Sequence, residues 1–113
     1  MTFMEKNIFA EIITGKIPCD KVYETDTILA FYDINPKAKT HILIIPKKEY
    51  QTALEVNEEN LAEFGDLFLA AKNIAKKLGM TGYKLHMNVG EDGGQIVPHV
   101  HLHMLSADYN APL

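Results

Sequence analysis

Three observations predict an α+β domain. Residues 57–78 carry one apolar stripe at steps of three and four, the mark of a long amphipathic helix. Ile42-Leu43-Ile44-Ile45, ended by Pro46, is an apolar run short enough for a buried strand. His99-Val100-His101-Leu102-His103-Met104-Leu105 alternates with period two, as a strand with one face in a core does. Strands gathered around one long helix make an α+β arrangement.

Taken in order, Asn7 to Thr14 reads as a short helix. Ile8, Phe9, Ile12 and Ile13 recur at helical spacing, and Gly15 is placed to end it. Ile17-Pro18 forces an extended turn. Lys21–Glu24 and Ile28–Tyr32, separated by Thr25-Asp26, read as a strand hairpin. Asp33-Ile34-Asn35-Pro36 breaks the pattern and sets Asp33 at a strand end, where a loop can present it. His41–Ile45 is the buried strand. The long helix is expected over Asn57–Leu78, with Asn57 as N-cap, Glu58 and Glu59 in its first turn and Gly79 as C-cap. Its stripe is Leu61, Phe64, Leu67, Phe68, Ala71, Ile74, Ala75 and Leu78. Lys72, Lys76 and Lys77 at its end suit the helix dipole better than a phosphate. Tyr83–Val89 is the next strand. Glu91-Asp92-Gly93-Gly94 is a turn, and Gln95–Pro98 leads into the histidine strand. Ser106–Leu113 reads as irregular.

The totals narrow the function. A chain of 113 residues suits a single domain, 1–113. Its formal charge of -4 and pI of about 5.7 argue against a nucleic-acid surface. All 11 basic residues are Lys, so no guanidinium clamp on phosphate is available within one chain. Cys19 is the only cysteine, which fits a reducing compartment. No apolar run reads as a signal peptide or a membrane span, so a cytoplasmic protein with no membrane partner is expected.

Three of the five histidines lie on one face of the strand from His99 to Leu105, and Val100, Leu102 and Met104 lie on the other. Packing alone gives no reason for three imidazoles in register. One chemical reading is a zinc site, but no acidic or cysteine residue nearby completes a usual ligand set. Another is nucleophilic phosphoryl or nucleotidyl transfer, since imidazole is largely unprotonated near neutral pH. The bland reading, three satisfied structural histidines, is the weakest of the three.

HVHLHML at 99–105 resembles the signature of the histidine triad family, three histidines separated by single apolar residues. NIFAEIITGKIP (7–18), ILAFYDINPKAKTHILIIPKK (28–48) and MNVGEDGGQ (87–95) resemble the corresponding segments of its Hint branch, the nucleoside phosphoramidases. The likeness runs from about Asn7 to Leu105, with its segments in order.

That resemblance implies a small antiparallel sheet with one long and one short helix, in a homodimer joined through the long helix and a shared sheet. It implies that His101 attacks the α-phosphorus of a purine nucleoside 5′-phosphoramidate or acyl-adenylate, forming a nucleotidyl-histidine that water hydrolyses. His99 and His103 would support phosphate contact and proton transfer, and His41 would extend their network. Asp33 would accept from the ribose hydroxyls, and Ile34 would line the base pocket. Asn88 and the backbone around Gly94-Gln95 would contact phosphate and leaving group. No cofactor or metal is implied. His86 matches no family motif and reads as structural or surface. Ile96 stands where the family often has a hydroxyl residue, and the tail after the triad is short, so leaving-group preference does not carry over. Dinucleoside polyphosphate hydrolysis and a non-catalytic nucleotide- or zinc-binding scaffold are the alternatives.

Overall fold

Ile42–Ile45 forms the centre of the sheet in the computed structural model, which describes residues 6–107. Strand β3 (Thr40–Pro46) pairs antiparallel with β2 (Ile28–Tyr32) on one side and β5 (Leu102–Ser106) on the other. Strands β1 (Lys21–Glu24) and β4 (Lys84–His86) form the two edges, giving the order β1-β2-β3-β5-β4. An uninterrupted aliphatic run is needed because both faces of β3 are covered. Ile42 and Ile44 join the cluster under the long helix α2 (Leu61–Leu78), with Val100, Leu102 and Met104. Leu43 and Ile45 join the opposite cluster around Phe9 of the short helix α1 (Ile8–Ile13).

The hairpin forms as expected, with Tyr23 opposite Ala30, and the Thr25 hydroxyl accepts from the N–H groups of Thr27 and Ile28 to close its turn. Asn7 caps α1 by accepting from the Ala10 N–H at 3.0 Å. Gly15, at φ +84°, lets the chain leave the helix in a left-handed conformation.

The long helix starts later than expected. The Asn57 side chain accepts from the N–H groups of Glu59 and Asn60, making a separate turn, and Asn60 stands at the N-cap. The apolar stripe is also narrower. Phe64, Leu67, Ala71, Ile74 and Ala75 are buried together with Ala70, whereas Leu61 and Phe68 are 60% and 59% exposed. Each residue turns the helix by about 100°, so these two lie past the arc that one sheet can cover. Leu78 is also exposed at the helix end.

Strand β4 is shorter than the predicted Tyr83–Val89, because its partner leaves the ladder. Regular pairing in β5 begins only at Leu102. His99 donates its N–H to Val97 and Val100 donates to Tyr50, so residues 99–101 are not part of the sheet. The alternation nevertheless survives the missing ladder. Val100 reaches the α2 cluster, while the rings of His99, His101 and His103 lie toward Phe9 and His41. Ser106 ends β5 rather than opening an irregular tail, and 108–113 lie outside the described residues.

Candidate active site

A cavity of about 600 Å³ opens on the α1 face of the sheet. His41, His101, His103, Asp33, Asn88 and Gly94 line it, with Ile34 and Ile96 on its exposed rim. His99 and Gln95 do not line it.

His99 is completely buried. Its Nε2 lies 2.8 Å from the Pro46 carbonyl and its Nδ1 3.0 Å from Asn7 Nδ2. A carbonyl only accepts and an amide nitrogen only donates, so Nε2 carries the proton and Nδ1 is bare. The Asn7 amide is oriented by its other contacts: Oδ1 accepts from Ala10, and Nδ2 also donates to Glu49 at 2.9 Å. His99 thus has both nitrogens engaged by the protein, and its ring serves as a support for the next turn of chain rather than as a wall of the cavity.

The other rings are also fixed by their partners. His101 Nδ1 donates to the carbonyl of His99 at 2.7 Å, which leaves Nε2 as its free lone pair. Phe9 packs edge-on against this ring at 5.0 Å and limits its tilt. His41 Nδ1 accepts from the Lys37 N–H at 3.0 Å, so its Nε2 carries a proton. That Nε2–H donates to His103 Nδ1 at 2.9 Å, and Asp33 Oδ2 lies 3.5 Å away on the same side. Neutral His103 then carries its proton on Nε2.

Burial holds all four rings below the ordinary histidine range by penalising the charged form. His103 is pulled down to about 3, first by burial and then by its imidazole neighbours His101, His41 and His86. Asp33 works in the opposite direction on His41 and His101. Near neutrality the site is therefore a set of uncharged rings with directed lone pairs and N–H groups.

Asp33, His41 and His103 bring potential metal-ligand atoms within 4.8 Å of one another. The hydrogen bonds oppose a metal there: an accepting Nδ1 on neutral His41 leaves no lone pair on Nε2.

The glycine-rich turn is held from inside. Gln95, whose backbone is expected near the substrate, turns its side chain into the protein, accepting from Gly90 N–H at 2.9 Å and donating to the carbonyls of Gln51 and Val97. Asn88 Nδ2 donates to the Gly93 carbonyl at 2.7 Å. Gly94 adopts φ +83°, and a Cβ there would stand 3.4 Å from Asn88 Nδ2. Asp33 accepts from the Asn35 N–H at 2.8 Å through Oδ1, which shapes its own loop.

Three contributors were not legible as site residues: Asn7 behind His99, Phe9 against His101, and the Lys37 backbone behind His41. Asn7 reads in sequence as a helix start, and nothing local says that its second nitrogen faces a residue 92 positions away.

The HIT domain family model matches residues 14–110. An uncharacterized HIT-like protein of Helicobacter pylori is 45% identical over 104 residues, covering 90% of this chain and 97% of that protein. The purine nucleoside phosphoramidase of Escherichia coli is 41% identical over 111 residues, covering 96% of this chain and 93% of that enzyme. Among solved structures, a histidine triad protein from Clostridium difficile superposes with a TM-score of 0.88 at 38% identity, covering 97% of this chain and 99% of that one. A HIT family hydrolase from Legionella pneumophila superposes at 0.85 with 43% identity, covering 89% and 92% of the two chains. With its sequence matched along most of its length and its fold shared with these structures, the chain belongs to the HIT domain family.

Proposed function

We propose that this protein is a nucleotide hydrolase that cleaves purine nucleoside 5′-phosphoramidates or acyl-adenylates. The observation that carries this reading is the 2.7 Å bond from His101 Nδ1 to the His99 carbonyl, which leaves an unprotonated Nε2 on a ring that lines the cavity. That nitrogen attacks the α-phosphorus, and the bond from phosphorus to the leaving amine or acyl oxygen breaks. The leaving group takes up its proton from solvent, and the His103 Nε2–H hydrogen-bonds the departing atom. Water then attacks the nucleotidyl-histidine, the bond from phosphorus to His101 breaks, and the nucleoside monophosphate departs. Without Arg, the phosphate oxygens are held by the Nε2–H of His103 and the Asn88 amide, and Gly94, with no side chain, lets them come close to the loop. Asp33 receives the ribose hydroxyls, and Ile34 lies along the base. The phosphoramidase from Escherichia coli, similar over 96% of this chain, supports the substrate class.

The working form in this reading is a homodimer. Leu61, Phe68 and Leu69 are exposed on α2, and β4 is an edge strand, which together offer a second copy an apolar face and a sheet edge. Among the described residues no helix is long and apolar enough to cross a membrane.

Intact-mass measurement of a reaction with adenosine 5′-phosphoramidate, quenched in acid, tests the chemistry. A nucleotidyl adduct mapped to His101 is expected. An adduct on another histidine, or turnover of diadenosine polyphosphates alone, would overturn the assignment.

A further inference from the structure

His86 lies outside the cavity and outside the triad. We propose that it is a fifth imidazole of the site, a positioning residue that packs against His103 and, once protonated, keeps the buried rings of His101 and His103 uncharged.

The strand geometry puts it there. Leu85 packs into the α2 cluster opposite Met104, so its neighbour His86 turns to the other face of the sheet. In the β4–β5 register His86 is directly opposite His103. The two rings meet edge-to-face, with centroids 5.6 Å apart and planes at 75°. His103 in turn lies 5.1 Å from the His101 ring and shares a hydrogen bond with His41. A charge on His86 therefore sits one ring away from the nucleophile.

Exposure makes His86 different in kind from the others. It is on the open edge strand and reaches solvent, whereas His99, His101 and His41 are buried. Among the described residues, the titratable groups facing it are His103 and His101 from β5 and Lys84 on its own strand. Among the described residues no carboxylate lies within ion-pair distance of it. Its positive charge is thus felt by the neighbouring imidazoles, and it opposes protonation of both His103 and His101. The consequence is a nucleophile that remains available at lower pH than burial alone would allow.

This inference rests on His101 being the nucleophile, so the test has a readout that does not need turnover. Histidine ring resonances are followed by NMR against pH in the wild-type chain, His86→Gln and His86→Lys, beside kcat/KM for an adenosine phosphoramidate. In His86→Gln the His101 and His103 rings should take up protons about half a pH unit higher. The acid limb of kcat/KM should move with them, a loss of about threefold on that limb with no change on the alkaline side. His86→Lys keeps a fixed positive charge and should hold both at or below the wild-type position. Superimposable ring titrations in all three proteins would overturn the proposal. So would an equal, pH-independent loss in both variants, which is the result of packing alone. If no protein turns over the phosphoramidate, the functional reading fails while the ring titrations still decide the role of His86.

Discussion

Asn7 Nδ2 donates to His99 Nδ1 at 3.0 Å, joining the cap of the first helix to the first histidine of the triad. The same side chain caps α1 through its oxygen, so one residue both starts a helix and sets a tautomer. The order then passes along the chain, because the carbonyl of His99 is what holds His101.

Asn7→Ala should therefore affect stability and chemistry together. Losing the cap and a buried hydrogen-bond partner is expected to cost about 1–3 kcal/mol. Thermal unfolding will show this as a lower Tm. His99, with a bare and buried Nδ1, is freed to change tautomer, and kcat should fall by about tenfold or more with little change in KM. An unchanged kcat would show that His99 needs no support from α1.

Gly94→Ala tests the loop. The left-handed φ of +83° strains any side chain, and the added Cβ meets Asn88 Nδ2 at 3.4 Å. A stability loss of about 1–2 kcal/mol is expected, measurable by urea unfolding. Displacement of Asn88 should raise KM for the phosphoramidate as well.

The buried imidazoles make stability depend on pH, with a definite sign. Their folded-state pKa values lie below those of the unfolded chain, so the unfolded state binds more protons in acid. Stability is complete above the ordinary histidine range near pH 6.5 and is lost as pH falls from there toward about 3, where folded His103 titrates. Each such group contributes a slope of about 1.4 kcal/mol per pH unit inside its window. Denaturant midpoints measured from neutral to acid pH check this, and a flat profile would contradict the burial of the triad.

Phe68→Glu tests the outer face of α2. Phe68 is 59% exposed within one chain, so the substitution should change the stability of an isolated protomer by less than about 0.5 kcal/mol. Size-exclusion chromatography with light scattering should find a monomer in the variant and a dimer in the wild type. A wild-type monomer would remove the dimer from the proposed function.

Much of the architecture is legible in residue order. Helical spacing, turn signals, one short apolar run and one period-two segment locate the two α-helices and five strands of the described residues, since burial on one or two faces dictates which positions are apolar. Boundaries shift where side chains compete for backbone groups: Asn57 makes its own turn ahead of α2, and His99 leaves the ladder for Val97. The resemblance of the histidine segment to a known family pointed to His101, His103, His41 and Asp33, all of which line one cavity. It could not say that the His99 ring and the Gln95 side chain are engaged by buried hydrogen bonds within the protein.

By itself, the sequence determined that three imidazoles share a face, that Arg is absent, and that a strand with two covered faces runs through the middle. These follow from local periodicity and composition. Only the tertiary structure decided which nitrogen of each ring carries the proton. That choice depends on partners far along the chain: Asn7 and Pro46 for His99, and the Lys37 backbone with distant His41 for His103. An imidazole's two nitrogens are equivalent in a sequence, and they become donor or acceptor only when the fold brings a carbonyl, an amide or another ring against them.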